Sequence, residues 1–283
     1  MALAARRLSE ADLAGCLALS AEAGWNQTAA DWRAVFAAGE VRGLEREGRL
    51  IASAAVLPWP AGPFGWVCMV LVSAAERRQG HATRLLDWAV ARLEAMGRTA
   101  GLDATPAGRA VYLRRGFADV YALTRLRAEA PGRVALPAGA PLPRPMTAAD
   151  LGPVAAFDAP VFGADRSGLL AALRARQPGL AFVAGKAGAP AGFVLGREGR
   201  TATQIGPVIA RDEAVATALI AAALGGCAGS VLLDLPDRHE GLGRALAGAG
   251  FVAERPFMRM LAGRAEPLDR PGQVFAVTGP EFG

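Results

Sequence analysis

The 283 residues are enough for two domains of ordinary size, each with its own core. A hydrophobic content of 52% and a mean hydropathy of +0.25 invite a membrane reading, but both uncharged stretches are broken: Leu50 to Ala75 by Pro58, Pro60, Gly62, Pro63 and Gly65, and Ala214 to Leu233 by Gly225-Gly226. The net charge of +5 and pI of 9.8 come from arginine, since Lys186 is the only lysine, and the scattered arginines suit a small polyanion better than nucleic acid, which calls for a dense basic stripe.

Arg6 and Arg7 are followed by Glu10 and Asp12 where an export signal needs an apolar core. Cys16, Cys68 and Cys227 are odd in number and far apart, with neither a disulfide framework nor zinc spacing. A cytoplasmic protein without a metal is expected.

In chain order, residues 3–8 read as a strand. Ser9 with Asp12 reads as a helix cap before the apolar face of Leu13, Cys16, Leu17 and Leu19. After Gly24, Thr28 and Asp31 repeat that signal ahead of Trp32, Val35 and Phe36. Residues 41–47 and 50–57 form a predicted hairpin turned at Gly48-Arg49, and Phe64 to Val72 a further strand. A helix is expected from about Gly80 to Met96, stopped by Gly97, and then a short strand, Thr99 to Asp103.

The junction between the strand ending at Val72 and the helix after Gly80 carries chemistry. A helix that starts there leaves its first N–H groups unpaired and turns the positive end of its dipole toward the strand end, a seat for phosphate. Gly80 allows close backbone approach, and Arg77 and Arg78 add charge and forked donors.

Arg77-Arg78-Gln79-Gly80-His81-Ala82 resembles the RxxGxA form of the pyrophosphate loop of the GCN5-related N-acetyltransferases (GNAT). A second segment agrees: Gly108 to Phe117 is similar to that family's tyrosine-bearing helix and glycine-phenylalanine turn, with Tyr112 four residues before Gly116. The resemblance implies that Arg77, Arg78, Gln79, Gly80, His81, Ala82 and Thr83 hold acetyl-CoA, that Val70, Leu71 and Val72 pair with its pantetheine arm, and that Tyr112 is the general acid for the leaving thiolate. It places Trp25, Asn26 and Asp31 beside the acceptor pocket.

Family members often carry a glutamate on or beside the strand matching Phe64 to Val72, yet here that strand has Trp66, Cys68 and Met69 and no acid. The base stays open among water, Asp31 and Glu45, or none at all for an acceptor amine of low pKa. Cys68 on an apolar strand, with no histidine nearby in sequence, reads as an inert core thiol rather than a nucleophile.

Five prolines between Ala130 and Pro145 mark a stiff linker at 131–145, dividing residues 1–130 from 146–283. The second half repeats the first in faded form. Thr147 with Asp150 echoes Ser9 with Asp12, Arg211 to Ile220 aligns with Arg77 to Leu86, Val231 to Asp234 mirrors the strand ending at Asp103, and Gly250-Phe251 mirrors Gly116-Phe117. Asp212 and Glu213 replace Arg78 and Gln79, and Leu246 replaces Tyr112, so no CoA is expected there. Phe157 to Arg166 reads as an aromatic, charged loop reaching toward the first cleft, and Val274 to Val277 as a final strand added to one of the sheets.

The expected fold is α/β (α+β): two tandem acyl-CoA N-acyltransferase-like domains with mixed, mostly antiparallel sheets flanked by helices. The expected function is transfer of acetyl from acetyl-CoA to a primary amine in a ternary complex. A small-molecule acceptor is favoured over a protein, with no nucleic-acid or membrane partner, in a monomer or homodimer. The alternative is a non-catalytic module that binds acetyl-CoA as sensor or scaffold.

Overall fold

A computed structural model describes residue 3 and residues 5–283. In the first half, strand β1 (Ala5–Arg7) leads into helices α1 (Leu13–Glu22) and α2 (Ala29–Ala38), then strands β2 (Glu40–Arg46), β3 (Arg49–Leu57) and β4 (Phe64–Val72). Helix α3 (His81–Glu94), β5 (Thr99–Ala104), α4 (Pro106–Leu113) and β6 (Phe117–Ala128) complete it. The second half runs β7 (Arg144–Pro145), α5 (Leu151–Phe162), α6 (Ser167–Arg176), β8 (Phe182–Lys186), β9 (Ala189–Arg197), β10 (Thr203–Ala210), α7 (Glu213–Leu224), β11 (Val231–Pro236), α8 (Glu240–Gly248), β12 (Val252–Ala262) and β13 (Val274–Ala276).

Local chemistry sets the helix starts. The capping boxes at Ser9/Asp12, Thr28/Asp31 and Thr147/Asp150 are all formed. The first and third are true repeats, because Asp12 is also clamped by Arg6 and Asp150 by Arg144, each arginine six residues upstream of its aspartate. The segment 157–166 differs from its predicted loop. Phe157 to Phe162 is the last turn and a half of α5, with Pro160 inside it, and the helix stops at Gly163. The reason is tertiary: Asp158 and Arg166 form a fully buried ion pair at 2.8 Å, while Phe162 packs edge-on against Trp59 and Phe64 of the first half. These contacts hold the segment away from the first cleft.

The strands form one continuous sheet in the order β1-β2-β3-β4-β5-β12-β6-β11-β10-β9-β8-β7, with β13 beside β10. Each half therefore lends its long terminal strand to the other. β12 lies between β5 and β6, and β6 lies between β12 and β11, all antiparallel. At this seam two buried cross-strand ion pairs fix the register, Asp103 with Arg259 at 2.9 Å and Asp234 with Arg125 at 2.7 Å. The parallel pairs are β4 with β5 and β10 with β11, one per half. Among the described residues no helix is long and apolar enough to cross a membrane.

Candidate functional site

Strands β4 and β5 pair only from Phe64 to Trp66 against Thr99 to Gly101 and then part. A bulge in β4 turns the strand at the opening: Met69 sits at φ 52°, held by a 2.9 Å hydrogen bond from the Ser53 hydroxyl to its carbonyl. Beyond it Val70, Leu71 and Val72 form one wall of a cleft of about 520 Å³, and Ala107, Gly108, Val111 and Tyr112 of α4 form the other. The cleft ends at the loop before α3. There Arg78 and Gly80 both take left-handed backbone conformations, at φ 63° and 82°, and no side chain caps the helix. Its first amides are left for a ligand.

Arg77, Arg78, Gly80, His81, Ala82 and Thr83 line this end of the cleft, and Arg77 also donates to the Val72 carbonyl at 3.3 Å. Gln79 turns outward, accepting from Arg46 at 3.5 Å, and the same Arg46 pairs with Glu76 at 3.2 Å. Arg46 is a cation at the loop that sequence reasoning missed, because it lies on β2, far away in the chain.

At its inner end the cleft meets a second chamber of about 80 Å³, the two sharing Trp25, Val70, Thr105 and Tyr112. Burial pushes the Tyr112 phenol up to about 12, so it stays protonated at neutral pH. Its ring lies over Gly108, where a Cβ would come within 2.8 Å of it. The glycine is what lets the phenol fold across the helix. Cys68 lines the chamber, and its thiol is driven well above the ordinary value by burial and then by the charge of Glu281, so it is the inert thiol that its strand position suggested.

The sequence matches the Acetyltransferase (GNAT) family over residues 11–117 and the Acetyltransferase (GNAT) domain over residues 154–276. The chain belongs to the GNAT family, as a tandem protein. Solved structures that share the fold include the following three. A Pyrococcus horikoshii protein assigned as an acetyltransferase is 19% identical, with a TM-score of 0.77 over 99% of this chain and 96% of its own. A GCN5-related N-acetyltransferase from Sphaerobacter thermophilus is 18% identical, with a TM-score of 0.66 over 94% and 96%. A tandem GNAT protein from the clavulanic acid biosynthesis pathway is 19% identical, with a TM-score of 0.63 over 94% and 99%. No curated protein matches the sequence. The fold is that of acyl transfer from acyl-CoA, and the uncapped amides of α3 with the open edge of β4 fit such a cosubstrate.

Of the three expected acceptor residues of this GNAT protein, the structure brings only Trp25 to the cleft. Asn26 is buried and bonded to the second half: its amide donates to the Ala202 carbonyl at 3.0 Å, and its oxygen accepts from the Thr201 and Ala202 amides. Asp31 is buried too. It caps α2 and pairs with Arg176 at 2.7 Å and Arg197 at 3.0 Å. Burial works to raise its pKa, but Arg197, Arg176 and the Thr28 amide outweigh that and hold it below the ordinary value. Both residues are joints between the GNAT copies, which corrects the expectation that they face an acceptor. Glu45, the other acid considered as a base, is tied to Arg6 at 2.6 Å on the outer strands.

The second GNAT copy has lost its cleft twice over. Asp212 caps α7 through a 2.9 Å bond from the Val215 amide, where the equivalent end of α3 is open. Strands β10 and β11 part after two residue pairs, as β4 and β5 do after three, but β13 fills the gap, pairing with β10 and bridging Asp234 through Val277. This is the final strand predicted from the apolar tail. His239 secures it: its Nε2 lies 2.9 Å from the Val274 carbonyl, and its ring stacks on Phe275 at 4.1 Å. Among the described residues no group of three or more His, Cys, Asp or Glu could hold a metal ion.

Proposed function

We propose that the chain transfers the acetyl group of acetyl-CoA to the nitrogen of a primary amine, by direct attack in a ternary complex formed in the first GNAT domain. The observation that carries this reading is the continuity of the cleft: open amides and arginines at one end, an unpaired strand edge along its length, and a protonated Tyr112 where it meets the second chamber.

Acetyl-CoA supplies an activated thioester. The N–H groups at Gly80 to Thr83 bind its diphosphate, helped by Arg77 and Arg78. The free edge of β4 beside the bulge at Met69 orients the arm, and a preorganised backbone donor at the developing oxyanion is typically worth about 3 kcal/mol. Tyr112 gives its proton to the departing sulfur, a contribution of about 10²-fold to 10⁴-fold. A sensor would need the amides but not a protonated phenol at the reacting end, which favours the enzyme.

Calorimetric titration of acetyl-CoA into the full chain tests this, beside an Arg78→Glu, Gly80→Glu double variant. One site per chain, lost in the variant, is expected, and it should be accompanied by thiol release when an amine is added. No binding by the unmodified chain refutes the reading.

A further inference from the structure

The inner chamber is built by both domains, and four charged residues line it. Asp103 and Arg125 each line it, and each is neutralised by a buried partner, Arg259 and Asp234. Two charged lining residues remain, both from the second domain. Arg255, half-buried on β12, has no ion partner among the described residues. Glu281 is 2% exposed; one of its carboxylate oxygens takes a 2.5 Å bond from Arg197, and the other has no hydrogen-bond partner.

The path by which Glu281 arrives is specific. β13 occupies the second domain's own splayed strands, and the chain beyond it crosses to the first domain, where the Trp66 indole donates to the Pro280 carbonyl at 2.8 Å. This sets Glu281 near Cys68 on β4, closely enough that its charge acts on that thiol. A carboxylate is thus returned to the strand that carries no acid of its own.

Resting on the acyl-transfer reading above, we propose that this chamber is the acceptor subsite and that it takes a small amine bearing an anionic group, with Glu281 receiving the amine's proton and Arg255 pairing with the anion. The amine nitrogen forms its bond to the acyl carbon as the carbon–sulfur bond breaks. One proton leaves the nitrogen for the Glu281 carboxylate, and the sulfur takes one from Tyr112. A chamber of about 80 Å³ has no room for a folded protein segment. Of the two lining arginines, the one without a counter-ion among the described residues, Arg255, selects for negative charge on the acceptor, since an unpaired cation in a confined site is costly until it is matched.

The test is thiol release by the full chain with acetyl-CoA and matched acceptors that differ only in the carboxylate: amino acids against their amides, and β-alanine against propylamine. The expected result is a preference of at least 10-fold in kcat/KM for the carboxylate members, collapsing toward unity in Arg255→Gln through KM. Glu281→Gln should lower kcat, with Glu281→Asp restoring part of it. Acetyl-CoA affinity, read by calorimetry in every variant, reports whether the fold and the first reading survive. Intact acetyl-CoA binding with amides and alkylamines used equally well, with turnover of peptides alone, or with no member of the panel turned over would overturn the acceptor proposal and leave the cosubstrate site standing. Loss of acetyl-CoA binding by the unmodified chain would instead remove the reading beneath it.

Discussion

Replacing Asp31 by Asn separates two roles for one carboxylate. Asp31 is 1% exposed and pairs with two arginines from the other domain, Arg176 and the equally buried Arg197. Removing one partner from a buried pair costs about 3–5 kcal/mol. Here the lower end applies, because Asn still caps α2, Arg197 keeps Glu281 and the Thr278 carbonyl, and Arg176 keeps the Thr28 hydroxyl and the Glu198 carbonyl. A loss of about 3 kcal/mol should lower the guanidinium midpoint by roughly half a molar, followed through tryptophan fluorescence. The pH dependence has a definite sign. Because the folded pKa of Asp31 lies below its unfolded value, its contribution is complete above about pH 4 and fades as pH falls through the folded value. The difference between the two proteins should therefore shrink in acid. An unchanged midpoint with kcat/KM reduced 10-fold or more would mean that Asp31 meets substrate, and the interface argument would be wrong.

Tyr112→Phe should reduce turnover by about 10²-fold to 10⁴-fold while acetyl-CoA affinity, measured by calorimetry, stays within about 2-fold; equal losses in both would reduce Tyr112 to a packing residue. Gly108→Ala leaves the phenol in place chemically but pushes its ring, since the new Cβ falls 2.8 Å from it, so kcat should drop without a comparable loss of thermal stability, and an unchanged kcat would show the ring's position to be unimportant. Burial first holds the His239 pKa below 6.5, which means that the neutral ring's contribution to tail docking is present above pH 6.5 and lost as pH falls below it. Hydrogen exchange at Val274 to Val277, corrected for intrinsic rate, should accelerate between pH 7.5 and 5 in the natural chain but not in His239→Gln; equal profiles would detach the tail from this histidine.

The elements legible in the sequence are those whose causes are local. The caps at Ser9, Thr28 and Thr147 and the glycine after Gln79 announce themselves within a few residues, and the structure places each where its chemistry requires. Asn26 and Asp31 misled for a physical reason. A polar side chain in the loop between helices, or in the first turn after it, looks the same in sequence whether it meets a substrate or a partner more than a hundred residues away, and here the partners are Ala202, Arg176 and Arg197. Glu281 left one faint trace, a lone acid in the otherwise uncharged run Val274 to Phe282. A buried acid without an obvious local partner is a reason to look for a distant one. The exchange of β6 and β12 left none, because each strand alternates as well beside a foreign neighbour as beside its own.

The pseudo-symmetry of the seam explains how one copy could lose its cleft without harming the other. Asp103 with Arg259 and Asp234 with Arg125 are equivalent pairs, each joining the strand after one cleft to the long strand of the opposite half. The register of the central strands therefore depends on both halves equally, and neither can be discarded. The clefts carry no such duty. With Asp212 capping α7 and β13 lying between β10 and β11, the second cleft is filled by the tail. The strand geometry that parts two strands for a pantetheine arm suits an extended peptide equally well, since both present hydrogen-bonding groups to the same free edges. What the second domain gives up in binding it returns as a fixed direction for the six residues after Val277, and that direction puts Glu281 against β4 of the first domain.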